Sequence, residues 1–178
     1  LAPSNAEEYI AMLDWALDQD KHPVYIAIPS GPVIHAEVPV RTNFDNLNTY
    51  EVTRKGSKVA VLALGDFYDL GEKTIEVLNS TLGIEATLVK PYFASGIDQN
   101  LLDNLVKDHD VIVTIEDGII EGGWGQNIAS YLGISSARVL NYGVKKAFYD
   151  RVNIADLMRE SHLEPELIAA DIKQVLGL

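Results

Sequence analysis

The chain contains no cysteine. That absence excludes disulfides, thiolate catalysis and cysteine-type zinc sites, and it is compatible with a reducing compartment. Positive charge is also scarce: 14 Lys and Arg face 26 Asp and Glu, leaving a formal charge of −12. Nucleic acid is held mainly by neutralising phosphates with Lys and Arg, so a broad basic nucleic-acid face is excluded. No apolar run approaches the roughly 18 residues that a membrane span needs. The opening "LAPSNAEEY" lacks the basic, apolar and small-residue order of a signal peptide, so a cytoplasmic location is expected. There is no internal repeat and no low-complexity tract. The four histidines (His22, His35, His109 and His162) are scattered, with no i, i+4 pairing and no carboxylate at metal spacing. A G-x-S-x-G elbow is missing too, and Ser57, Ser80 and Ser95 sit in turn contexts.

What is present is a globular composition, 47% hydrophobic over 178 residues, enough for a real core. "PSNAEEYIAMLDWALDQD" opens with Ser4 and Glu7 at capping-box spacing, followed by apolar residues at helical spacing. "HPVYIAIPSG" is a short β-rich run ended by Pro29 and Gly31. One helix and one strand cannot bury their own apolar faces. Either this opening packs onto the remainder of the chain, or it is the tail of a domain that begins earlier. From Gly31 to about Ser57 the text is irregular and reads as a linker that carries one strand, "YEVT".

From Lys58 strands and helices alternate. β runs are expected at 58–65, 84–91, 111–116 and 137–143, with helices at 69–83, 98–110 and 124–133 between them. Asp98 is the expected N-cap of the second of these helices. Two further helices close the chain, the last with Pro165 in its first turn, where the missing N–H costs nothing. This alternation predicts an α/β fold: a mostly parallel twisted sheet with helices on both faces.

The stretch "VTIEDGIIEGGWGQNIASYLG" (113–133) raises the question of a phosphate cradle. Gly123, Gly125 and Ile128 supply G-x-G-x-x-I, but "DGIIEG" separates strand from glycines, and the next strand ends without the acidic residue that would hold a ribose. A tight loop with close helix packing is the favoured reading over a nucleotide site. Glu116 and Asp117 end a predicted parallel strand, where ligands bind in open α/β sheets; they could equally cap neighbouring backbone or pair across an interface. "RKGSK" (54–58) solvates a turn. "VKKAFYDR" (144–151) offers a contact patch, although a loop packing Phe148 and Tyr149 on the core is the commoner case.

Taken in order, "APSNAEEYIAMLDWAL", "PVYIAIPSG", "KVAVLALG", "VKP", "VIVTIEDGIIEGGWGQNIASYL" and "LNYG" resemble the C-terminal portion of transketolase-like enzymes, most closely the 1-deoxy-D-xylulose-5-phosphate synthases. The resemblance covers essentially the whole chain. It implies a three-layer sandwich around a five-stranded mixed sheet. It divides the chain into the end of a pyrimidine-binding domain (1–40), a linker (41–57) and a complete C-terminal domain (58–178). It also implies thiamine diphosphate and Mg²⁺ in the full-length enzyme, a homodimer or a partner subunit carrying the remaining domains, and no nucleic-acid or membrane partner. In those synthases pyruvate is decarboxylated and its two-carbon unit joins glyceraldehyde 3-phosphate. By the same resemblance the metal and diphosphate ligands, and the glutamate that activates the cofactor, lie outside this chain. No catalytic residue and no bound cofactor are therefore expected in it, and alone it should be inactive.

Ser30 and Gly31 fall near the acceptor's phosphate, while Glu116, Gly122, Gly123 and Gly125 become structural or interface residues. One departure bears on substrate. Where the synthases carry valine-arginine-tyrosine-proline-arginine-glycine, this chain has Ile26, Ala27, Ile28, Pro29, Ser30 and Gly31. Replacing a bidentate, permanently charged clamp by the Ser30 hydroxyl weakens the grip on phosphate and leaves the acceptor open. Alternatives are the C-terminal subunit of a split transketolase, a 2-oxo acid dehydrogenase beta subunit, or a non-enzymatic dimerisation or regulatory module.

Overall fold

A computed structural model describes residues 1–28 and 31–178. Helix α1 (Ala6–Asp18) opens the chain, and a long irregular stretch leads to strand β1 (Glu51–Arg54). Next come β2 (Lys58–Ala63), α2 (Tyr68–Leu82), β3 (Thr87–Lys90), α3 (Gln99–Asp108) and β4 (His109–Ile119). The chain ends with α4 (Trp124–Tyr131), β5 (Arg138–Val144), α5 (Ile154–Glu160) and α6 (Pro165–Leu176). The sheet runs β1-β3-β2-β4-β5, with only β1 antiparallel. It is the five-stranded mixed sheet that the alternation and the resemblance imply.

Residue alternation divides the core. On β4, Val111, Val113 and Ile115 face α2 and α6, packing with Ile75, Leu78, Ile168 and Ile172. Ile112, between them, faces α3 and α4, beside Leu102, Leu105, Trp124 and Ile128. Burying each such side chain contributes about 1.5–3 kcal/mol, and both faces are covered, as a parallel sheet requires. Local signals agree with the ends of these helices. Asp98 accepts from Leu101 N at 2.9 Å, Gly83 ends α2 in the left-handed conformation, and Pro165 lies at the start of α6.

Four local expectations are corrected. The N-cap of α1 is Asn5, whose Oδ1 accepts from Glu8 N at 2.9 Å; Glu8, one residue beyond the expected partner, reaches back to Ser4 N at 2.8 Å. Glu7 turns outward instead. Residues 23–28 are extended but join no sheet, their partner being the chain start: Leu1 N donates to Tyr25 O and Ala27 N to Leu1 O. β4 continues to Ile119 past an irregularity and pairs there with Val144. Phe148 does not pack on the core but is 98% exposed.

Candidate functional site

The connections leaving β2 and β4 diverge: β2 feeds α2 on one face of the sheet, and β4 feeds α4 on the other. Between the carboxyl ends of two such strands an open α/β sheet leaves a crevice, the place where ligands bind in this architecture. Leu64, Gly65 and Asp66 border it from β2, and Glu116 and Asp117 from β4.

Here the opening segment lies over the crevice. Ala2 and Pro3, with Ala27 and Ile28, leave a cavity of about 140 Å³ beneath them. Beside it a cleft of about 510 Å³ lies between the start of α1, residues 31–34, Asp66 and Asp117. Its outer wall is a strap of residues folded back onto α1. Ala6 N donates to Ile34 O, Ala36 N donates to Glu7 Oε2 at 2.7 Å, and His35 Nδ1 lies 2.8 Å from Glu7 Oε1. These bonds from Ala36 and His35 hold the Glu7 carboxyl down at about 2.

Glu116 answers the question of the glycine-rich turn. Alternation along β4 puts Ile112, Thr114 and Glu116 on the α4 face, and the Glu116 carboxylate accepts from Trp124 N at 2.9 Å and Gly125 N at 2.8 Å. Those are N-terminal amides of α4, the donors that would otherwise meet an anion. The helix has no capping side chain of its own, since its N-cap is Gly123. A carboxylate from the sheet does that work, so the turn is not a diphosphate cradle. Burial raises the pKa of Glu116 despite these two bonds.

Close approach explains the glycines. A Cβ on Gly125 would stand 2.3 Å from Thr114 Oγ1, and one on Gly123 would stand 2.4 Å from Ile119 O. Gly122 takes a positive φ of 84°, and its N–H donates to Gln126 Oε1. Trp124 is anchored in turn by its Nε1, which donates to Tyr50 OH at 2.9 Å.

Of the residues expected near substrate, Gly31 is exposed and lines the larger cleft, whereas Ser30 lies outside the described residues. Sequence reasoning missed Asp66, which faces the same cleft and whose pKa is raised by burial and then by the neighbouring Asp117. Its position after a β run, "LALGD", was the available signal. Among the described residues no cluster of three His, Asp or Glu could hold a metal ion. His109 is absorbed structurally, Nδ1 on Leu105 O and Nε2 on Thr87 Oγ1, and His162 pairs with Asp171 at 2.7 Å. The residues present thus provide neither a Mg²⁺ site nor a diphosphate cradle.

The opening segment is joined to the sheet through a buried ion pair and an aromatic cluster. Lys90 Nζ lies 2.6 Å from Glu8 Oε1, with the Glu8 side chain 1% exposed, and the ammonium sits 4.0 Å above the Tyr68 ring. Phe44, fully buried, packs edge-on against Trp15, Tyr92 and Phe93. Arg41 lies over this cluster, and its guanidinium donates to Asn43 O, Thr49 O and Thr49 Oγ1.

Comparison with known proteins agrees with this architecture. Residues 48–168 match the family described as transketolase, C-terminal domain. The chain is 33% identical to a 1-deoxy-D-xylulose-5-phosphate synthase of Pseudoalteromonas translucida, over 99% of this chain and 28% of that protein. It is 30% identical to the Clostridium tetani synthase, again over 99% of this chain and 28% of the relative. The chain thus spans little more than a quarter of the curated relatives it matches. Among solved structures, one described as a split gene transketolase, inactive beta4 tetramer, matches with a TM-score of 0.76 and 24% identity over 99% of this chain and 56% of that one. A transketolase variant from Pichia stipitis matches with a TM-score of 0.72 and 15% identity, over 99% of this chain and 25% of that one. Sheet order, helices on both faces and the match over 48–168 lead to one conclusion: the chain belongs to the transketolase C-terminal domain family.

Proposed function

We propose that this chain is the supporting C-terminal part of a thiamine diphosphate-dependent transferase of the 1-deoxy-D-xylulose-5-phosphate synthase type. In the reaction assigned to the whole enzyme, pyruvate loses CO2 and its remaining two-carbon unit forms a new carbon–carbon bond to an aldehyde. In the synthases that aldehyde is glyceraldehyde 3-phosphate. Thiamine diphosphate with Mg²⁺ supplies the electron sink, held by polypeptide outside these residues. Residues 1–40 are the end of the preceding pyrimidine-binding domain, 41–57 a linker and 58–178 the C-terminal domain, in a cytoplasmic homodimer.

The observation that carries this reading is the occupied helix end: the amides that could cradle a diphosphate are bound to Glu116. The supporting role of Gly122, Gly123 and Gly125 follows from it, since they let α4 approach that carboxylate. An apolar stripe on α1, Ile10, Leu13 and Leu17 at i, i+3 and i+7, stays exposed and fits burial against the rest of such an enzyme. The test is direct. Full-length protein given thiamine diphosphate, Mg²⁺, pyruvate and an aldehyde should consume both substrates, and residues 1–178 alone should not. Tight one-to-one binding of thiamine diphosphate by the isolated chain in calorimetry would sink the reading.

A second reading is favoured by the split-gene neighbour: the same lobe as a separate subunit, inactive until joined by its partner. Restoration of turnover on mixing with a separately made polypeptide bearing the remaining domains would distinguish it.

A further inference from the structure

The crevice at the ends of β2 and β4 is negatively charged. Around the 510 Å³ cleft and the smaller cavity, the charged side chains among the described residues are Asp66, Asp117 and Glu116; no Lys, Arg or His lines either space. Backbone donors that could offset this are largely committed. At α4, Trp124 N and Gly125 N are bound to Glu116, Gly122 N to Gln126 Oε1 and Gly123 N to Ile120 O. At α1, Ser4 N is bound to Glu8, Ala6 N to Ile34 O and Glu8 N to Asn5 Oδ1. His35 and Lys90, the cations nearest in the opening segment's contacts, are held by Glu7 and Glu8. An anion entering the cleft would meet carboxylates without a compensating donor, and like charges at close range are strongly disfavoured. The remaining wall is apolar, with Ile28, Val33 and Ile34 presented to it.

We propose that the ligand of this cleft, the acceptor aldehyde on the transferase reading above, carries no phosphate. It is a small uncharged aldehyde whose far end rests on Ile28, Val33 and Ile34, and Asp66 and Asp117 discriminate against anionic acceptors. The inference rests on that reading and narrows its substrate class.

A competition assay tests it. Full-length enzyme loaded with thiamine diphosphate and Mg²⁺ is given pyruvate with equal concentrations of glyceraldehyde and glyceraldehyde 3-phosphate, and the two ketose products are counted by mass spectrometry. Their ratio reports relative kcat/KM whatever fraction of enzyme is folded. The unphosphorylated product should dominate by about tenfold or more, and Asp66→Asn with Asp117→Asn should shift the ratio toward the phosphorylated product by about tenfold. Dominance of the phosphorylated product in the unaltered enzyme, or a ratio unmoved by the double substitution, overturns the proposal while the transferase reading stands. Pyruvate left unconsumed with both aldehydes defeats that reading instead, and the two failures are told apart by whether any ketose forms.

Discussion

The opening arm, residues 1–47, and the five-stranded sheet are held together by different physics. In the sheet, both faces of β2 and β4 are covered by continuous apolar clusters, and Val59, Ala60, Val61, Leu62 and Ala63 are all fully buried. The arm has a short helix, an extended segment tied to the chain start, and a strap tied to Glu7. It fastens to the sheet at few points: Phe44 in its aromatic cluster, Lys90 on Glu8, and Ala2 N on Tyr92 O. Much of its apolar surface stays open, including Ile10, Leu13, Leu17, Tyr25, Val33 and Val38. A region that covers its own apolar surface can stand alone; a region that cannot depends on its points of attachment. The candidate cleft lies on the seam between the two, so its shape depends on the weaker partner.

The largest expected effect breaks that seam. Phe44→Ala removes the centre of the aromatic cluster and should cost about 3–5 kcal/mol of arm docking. Hydrogen exchange should then accelerate at α1, while protection in β2 and β4 is retained. Equal loss of protection in both regions would show that they unfold as one. Lys90→Ala comes next: it leaves the Glu8 carboxylate buried without its partner, at a cost of about 3 kcal/mol. The same exchange pattern is expected, because Glu8 lies on the arm.

Two smaller changes act on the other side of the comparison, within the sheet. Glu116→Gln turns an NH2 donor toward one of the two α4 amides and should cost about 2 kcal/mol, read as a lowered denaturation midpoint with α1 docking unchanged. Its pH dependence carries a sign. The folded-state pKa of Glu116 is raised, so its contribution is fully present below the unfolded value of 4.5 and is lost as pH rises through the folded value. The Gln variant should therefore show a flatter stability profile from about pH 4.5 upward. Gly125→Ala forces a Cβ against Thr114 Oγ1 and should cost about 1–3 kcal/mol.

The smallest effect belongs to the strap. The Glu7 carboxyl is held at about 2, below its ordinary 4.5, so its contribution is present above 4.5 and lost as pH falls through about 2. Glu7→Gln should loosen only residues 34–36, seen as faster exchange of the Ala36 amide. Slower exchange there, or a fall in global stability, would contradict the assignment.

The alternation from Lys58 onward was legible because each strand is a short apolar run stopped by Gly or Pro and each helix carries its own cap; Asp98, Gly83 and Pro165 all serve the expected ends. The capping box slipped by one residue, since Ser4-Asn5 offers two cap candidates and Glu7-Glu8 two partners. Local spacing alone cannot choose between them. The extended run at 23–28 had β composition, but pairing depends on an available sheet edge, and none was offered to it. Phe148 shows the same limit: an aromatic residue in a loop is buried only if a surface comes to meet it.

By itself the sequence determined the α/β class, the mostly parallel sheet and the family resemblance, because periodicity, caps and breakers are local and survive without knowledge of neighbours. Only the tertiary structure decided the fate of the glycine-rich turn and the charge of the cleft. Glu116 and Gly125 are nine residues apart, and Asp66 meets Asp117 only across two strand ends. Whether an amide is free for a ligand, or a carboxylate faces another, depends on through-space distances fixed when sheet and helices pack.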